Sequence, residues 1–179
     1  LLRTDILSRE IVCCYRVCES IRACQKGHTE VALALINKGA DVNQAYKSGE
    51  TLLNWACENG HTEVALALID KGGDVNCVDK DGNPPLHLAC NRRLIEVVLA
   101  LIDKGADVNQ GDKNGTTPLH YACFIGHTEL AIALINKGAD VKQGDKDGFT
   151  PLHFACYNGH TATALALIGI GADVNIVVT

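Results

Sequence analysis

The chain has 179 residues and a net charge of −5, and 47% of its residues are apolar. That composition supports one domain or one elongated array with a real core and excludes a disordered tract. No basic stretch offers the positive face that nucleic acid demands, and no apolar run approaches the ~20 residues of a membrane span. Leu1 to Arg9 lack the apolar core of a secretory signal. Aromatic residues are only 4%, so the apolar character comes from Ala, Leu, Val and Ile, a mix that suits closely packed helices.

The first predicted element is a helix within Thr4 to Ile21, where Ile6, Leu7, Ile11, Tyr15 and Cys18 recur at helical spacing. This stretch, assigned to residues 1–18, matches nothing downstream and is expected to cap the first core face of a stacked array. From residue 19 onward the chain repeats itself with a step of 33. His28, His61, His127 and His160 lie on one lattice, as do Gly49, Gly82, Gly115 and Gly148. Cys24, Cys57, Cys90, Cys123 and Cys156 keep the same step, each after an Ala. A Gly-x-Asp-Val motif recurs at Gly39, Gly72, Gly105, Gly138 and Gly171.

Within each unit the local signals predict two helices. Thr117-Pro118 and Thr150-Pro151 pair a good N-cap with a Pro whose missing N–H costs nothing at the first helical position. A short helix comes next and stops at Asn59-Gly60 or Ile125-Gly126. The second helix opens with Glu30, Glu63 or Glu129, where the helix dipole favours negative charge, and its interior is apolar all round, as in Val64 to Ile69. Lys38, Lys71, Lys104 and Lys137 are expected in its last turn, with a left-handed Gly after each. The polar, Gly-rich segment that leads to the next unit predicts a projecting turn. Leu52 and Asn54 replace Pro and His in the second unit, Tyr46 stands where Asp79, Asp112 and Asp145 recur, and Lys142 replaces Asn. Arg93-Leu94 replaces Gly-His and puts the third inter-helix turn in question; the fifth unit has Ala162 for Glu and Ile170 for Lys. Ile176-Val177-Val178 supplies no polar closing helix and the chain has no Met, so a longer parent with further repeats is expected.

A 33-residue step carrying Thr117-Pro118-Leu119-His120-Tyr121-Ala122 and Thr150-Pro151-Leu152-His153-Phe154-Ala155 resembles the ankyrin repeat. The resemblance covers roughly Glu19 to Asn175, within a domain assigned to 19–179, with repeats at about 16–48, 49–81, 82–114, 115–147 and 148–179. It implies an all-α solenoid of stacked helix-turn-helix units with β-turn fingers. It also implies that His87, His120 and His153 link backbone and Thr groups of adjacent repeats.

The periodic cysteines occupy the second position of an Ala-Ala pair and are read as small buried hydrophobes. Neighbours one repeat apart, roughly 10 Å, cannot form disulfides. Cys13, Cys14 and Cys18 make no zinc spacing, so a reducing, cytoplasmic setting is expected. No nucleophile elbow, phosphate loop or His-Glu-x-x-His appears, and the carboxylates spread along the stack instead of converging. No enzyme, cofactor or metal is therefore expected.

The remaining function is display. In proteins similar to this one partners bind the concave face of finger tips and helix one, and here the varied positions include Lys47, Ser48 and Glu50 in the first finger. Aromatics concentrate in repeats 4 and 5, which points to Phe124, Phe149 and Tyr157 as anchors, with Tyr121 and Phe154 beside them as half-buried framework. Ile125, Asn158, Lys113, Asn114, Lys146 and Asp147 surround them, and Arg92 is a weaker second anchor. The expected partner is another protein, with no nucleic acid and no membrane, and the chain is expected to act as a monomer. The rival reading is a targeting domain of a larger effector or enzyme. The resemblance also implies asparagine hydroxylation at Asn43, Asn76, Asn109 and Asn175, in Leu-x5-Asp-Val-Asn; the alternative is that each Asn only bonds backbone within its finger.

Overall fold

The computed structural model describes residues 29–45 and 49–175. The cap expected over residues 1–18, Cys24, His28, Lys47, Ser48 and the Ile176-Val177-Val178 tail lie outside the described residues. Among the described residues nine helices run in order: α1 (Thr29–Asn37), α2 (Leu52–Glu58), α3 (Thr62–Asp70), α4 (Pro85–Asn91), α5 (Ile95–Asp103), α6 (Pro118–Phe124), α7 (Thr128–Asn136), α8 (Pro151–Tyr157) and α9 (Thr161–Ile170). The same residues contain no strand, and the molecule is an all-α repeat solenoid.

Each unit is built by the signals its sequence carries. Thr51, Thr117 and Thr150 take the extended N-cap conformation, and Pro85, Pro118 and Pro151 fill the first helical position. The short helices end at Asn59, Ile125 and Asn158, and Gly60, Gly126 and Gly159 then adopt φ of 77°, 69° and 71° to turn the chain into helix two. The third turn forms as well. Arg93 takes φ 62° there, a left-handed strain of about 1 kcal/mol for a residue with a Cβ. Lys71, Lys104 and Lys137 fall one residue later than expected, at the C-cap just beyond the last helical turn.

Like packs on like along the stack. The short helices α2, α4, α6 and α8 form one layer, and the longer α1, α3, α5, α7 and α9 form the other. Leu53, Ala56, Val64, Ala65 and Leu68 and their counterparts in later repeats fill the space between. The fingers are held by their own aspartates. Asp112 Oδ1 accepts the N–H groups of Asn114 (2.7 Å) and Thr116 (3.0 Å), and Asp79 and Asp145 do the same one repeat earlier and later. No described helix is long and apolar enough to cross a membrane.

Candidate partner-binding surface

The helix-one histidines are committed to the frame. The Thr117 hydroxyl and N–H both meet His120 Nδ1, at 2.8 and 3.0 Å, and His120 Nε2 donates to the Phe149 carbonyl of the next repeat at 2.9 Å. Thr150 holds His153 in the same way, at 2.8 and 3.1 Å. With Nε2 as the donor, Nδ1 must be the acceptor, so the bonds fix the tautomer. Burial holds the His120 ring below the usual histidine range. Asn54 replaces this histidine in repeat 2 by isosteric chemistry. Its Oδ1 accepts from the Thr51 N–H and hydroxyl (2.9 Å each), while its Nδ2 reaches the Cys77 carbonyl at 3.4 Å.

Repeat 3 breaks the pattern. Pro84 stands at the N-cap, with neither hydroxyl nor N–H to give, and His87 Nδ1 is buried without a hydrogen-bond partner. His87 still donates from Nε2 to the Thr116 carbonyl (3.0 Å). Burial lowers its basicity too.

Cys57, Cys90 and Cys123 are fully buried, and burial pushes all three thiols up, that of Cys123 to about 12. Such thiols stay protonated and inert. Cys156 departs from the expectation: it keeps the lattice position but is exposed. Cys77, off the lattice, bonds Thr51 Oγ1 and Asn54 Oδ1, each at 3.1 Å. The five described cysteines are free, and no metal-holding group of His, Cys, Asp and Glu occurs among the described residues.

On the display face the structure brings three rings together. Phe154 sits at the centre, edge-on to Phe124 and to Phe149, with centroids 6.4 Å from each. Phe124 is 51% exposed and Phe149 41%, whereas Phe154 is half-buried against His120 at 5.3 Å. Tyr157 stands one helical turn further along α8 and is 92% exposed. Tyr121 is framework: its ring meets the His87 ring edge-on, and its hydroxyl donates to Asp112 Oδ2 at 3.1 Å. Burial and that neighbouring carboxylate raise its pKa to about 12.

The polar candidates are largely tied to the scaffold. Lys113 pairs with Asp81 at 3.5 Å, Lys146 Nζ donates to the Lys113 carbonyl at 2.6 Å, and its N–H bonds the Asn114 carbonyl. Fingers are thereby laced one to the next, with Asp147 exposed at the last tip. Asn158 Nδ2 bonds the Phe154 carbonyl at the end of its own helix, and Arg92 Nε bonds the Glu58 carbonyl at 2.5 Å. Arg93, which sequence reasoning treated only as a doubtful turn residue, reaches the Ile125 carbonyl at 3.2 Å. The pair therefore clamps the ends of helix one in repeats 2 and 4 onto repeat 3. Two adjacent arginines at a helix end were the signal available for this, since exposed helix-terminal carbonyls attract such donors.

Asn43 and Asn109 do bond backbone, but that of the following repeat. Asn109 Nδ2 donates to the Gly138 carbonyl (3.0 Å) while its Oδ1 accepts from the Asp140 N–H (2.8 Å), and Asn43 bridges to Gly72 and Asp74 equivalently. Asn76 and Asn175 occupy the same register.

A comparison with curated proteins found no match. The family model for ankyrin repeats in three copies matches residues 20–112 and 96–177. Repeats of this kind are generally protein–protein interaction modules. The repeating helix pair, the Thr-His-carbonyl bridges and the family match agree, and the chain belongs to the ankyrin-repeat family.

Proposed function

We propose that this chain is a protein-interaction scaffold that binds one partner protein across the fingers and helix-one surface of repeats 4 and 5, without catalysis of its own. The observation that carries the reading is the ring cluster of Phe124, Phe149 and Phe154, two of its members about half exposed, with Tyr157 standing free beside it. Large aromatics left in water on a rigid support are the residues that dominate binding energy at protein interfaces. Here the support is rigid because Phe154 rests on the bonded His120 ring and Phe149 lies in an aspartate-held finger. Lys113, Asn114, Lys146, Asp147, Asn158 and Ile125 form the rim, and Arg92 extends it toward repeat 2. Free cysteines throughout the described residues suit a reducing cytosol.

Capture of partners on the immobilised chain, followed by titration with alanine variants, tests the proposal. Phe124→Ala, Phe149→Ala and Tyr157→Ala should each weaken binding by about 1–2 kcal/mol at unchanged melting temperature. Normal binding by all three, with loss in Lys47→Ala, places the site at the other end of the array; Glu50, expected on the display face, is buried.

A further inference from the structure

The middle of helix two is apolar all round in sequence, and the stack covers only part of it. In α3 and α7 the inward residues Val64, Ala65 and Leu68, and Leu130, Ala131 and Leu134, are buried. At about 100° per residue the fifth and sixth residues of each helix fall on the other side, away from the helix-one layer. These are Leu66-Ala67 in α3, Leu99-Ala100 in α5 and Ile132-Ala133 in α7. All are half-buried except Ile132, which is 39% exposed although a repeat packs on either side of it. A solvated helix face would carry polar residues there. The three pairs stand at one height on neighbouring helices and form an apolar band along the array.

The two edges of the band differ in charge. Glu63, Glu96 and Glu129 are exposed along one edge, and none of them makes an ion pair among the described residues. Along the other edge Asp103 is neutralised by Lys137 at 2.6 Å. The edges lie seven residues apart on each helix, about 10 Å, which is the width of one α-helix.

We propose that this band on repeats 2 to 4 docks one amphipathic α-helix of a partner protein, laid along the array, with an apolar residue at every seventh position and Lys or Arg on the flank that meets the glutamate row. Spacing and charge identify the occupant. Packed helices lie about 8–10 Å apart, and a helix advances about 10.5 Å in seven residues, so one apolar side chain of the ligand meets each repeat. The unpaired glutamates, on a chain of net charge −5, draw a basic ligand and repel an acidic one. The band lies on the opposite layer from the aromatic cluster, so its failure would leave the partner-binding reading standing.

The test titrates the full chain at low salt with a synthetic three-heptad peptide that has Leu and Ala on one face and Lys along one flank, read by fluorescence anisotropy. A scrambled peptide of the same composition should bind at least about tenfold more weakly, and a version with Glu in place of Lys should not bind. Ile132→Gln and Leu99→Gln should each weaken binding by about fivefold. Glu96→Gln combined with Glu129→Gln, two exposed positions, should flatten the salt dependence at unchanged circular dichroism. A benzophenone on the apolar face of the peptide should cross-link to α5 and α7, located by mass spectrometry. Equal affinity for the ordered and scrambled peptides overturns the proposal, as do cross-links confined to the helix-one layer. So does a dimer in light scattering that Ile132→Gln dissolves, which assigns the band to a second copy, or binding to zwitterionic vesicles that Ile132→Gln abolishes, which assigns it to a lipid surface.

Discussion

Repeats 3 and 4 start their first helices with the same Pro-Leu-His, yet they reach the same fold with different quality of bonding. His120 is satisfied at both ring nitrogens, by Thr117 and by Phe149. His87 keeps only the bond to the next repeat because Pro84 cannot donate. Gly126 occupies a left-handed turn at no steric cost, whereas Arg93 holds the same turn under strain and adds a cross-repeat bond. The difference teaches that the stack determines the geometry. A repeat packed on both sides keeps its turn and its histidine in place even when the local residues would not choose them.

Substitutions at matched positions can break or sharpen that contrast. The largest effect is expected from His120→Ala, which strands the Thr117 donors and the Phe149 carbonyl and should cost about 3 kcal/mol in urea denaturation. His87→Ala removes one bond and should cost roughly half as much; equal losses would show that the Thr-His cap is idle. Next, Gly126→Arg should destabilise by about 2 kcal/mol, because a Cβ there overlaps the His160 ring in a left-handed turn. Arg93→Gly should have the opposite sign, a gain below about 1 kcal/mol after loss of the Ile125 bond. Pro84→Thr should stabilise by about 1 kcal/mol net, the restored donors outweighing the looser unfolded chain. A fall in melting temperature would mean that His87 Nδ1 is not the defect.

The smallest effect is graded with pH. Burial lowers both His87 and His120, so the unfolded chain binds more protons than the fold once pH drops below about 6.5. Stability contributed by their neutral forms is complete above that value and is lost as pH falls toward the depressed folded values. Thermal melts at pH 7.5 and pH 5 check this, and a flat profile would refute it. Pro84→Thr, by adding donors to the neutral Nδ1, should steepen the loss.

The frame was legible because it is local. A Thr-Pro start, a Gly stop and a 33-residue step are written in the chain, and the helices fall where those signals put them. What the chain does not write is its neighbours. Cys156 follows an Ala in the same register as Cys123, yet Cys156 is exposed and Cys123 buried. Phe154 looked like framework and does rest on His120, yet it is also the ring that joins Phe124 to Phe149. Arg92 has the residue type of an anchor, and only the packed structure shows its Nε drawn to the Glu58 carbonyl.

The described side-chain hydrogen bonds between repeats join residues 29 to 36 positions apart, from Asn43 with Gly72 to His160 with Phe124. None of those described skips over a repeat. Such a molecule has no long loop to close, so the search needed to form each interface stays constant however many units are added. Its mechanics obey the same bound. Under tension the array should yield as a spring, each interface hinging slightly, and should then come apart one unit at a time from its weaker end. An array built in this way can lose a unit without losing the shape of the rest.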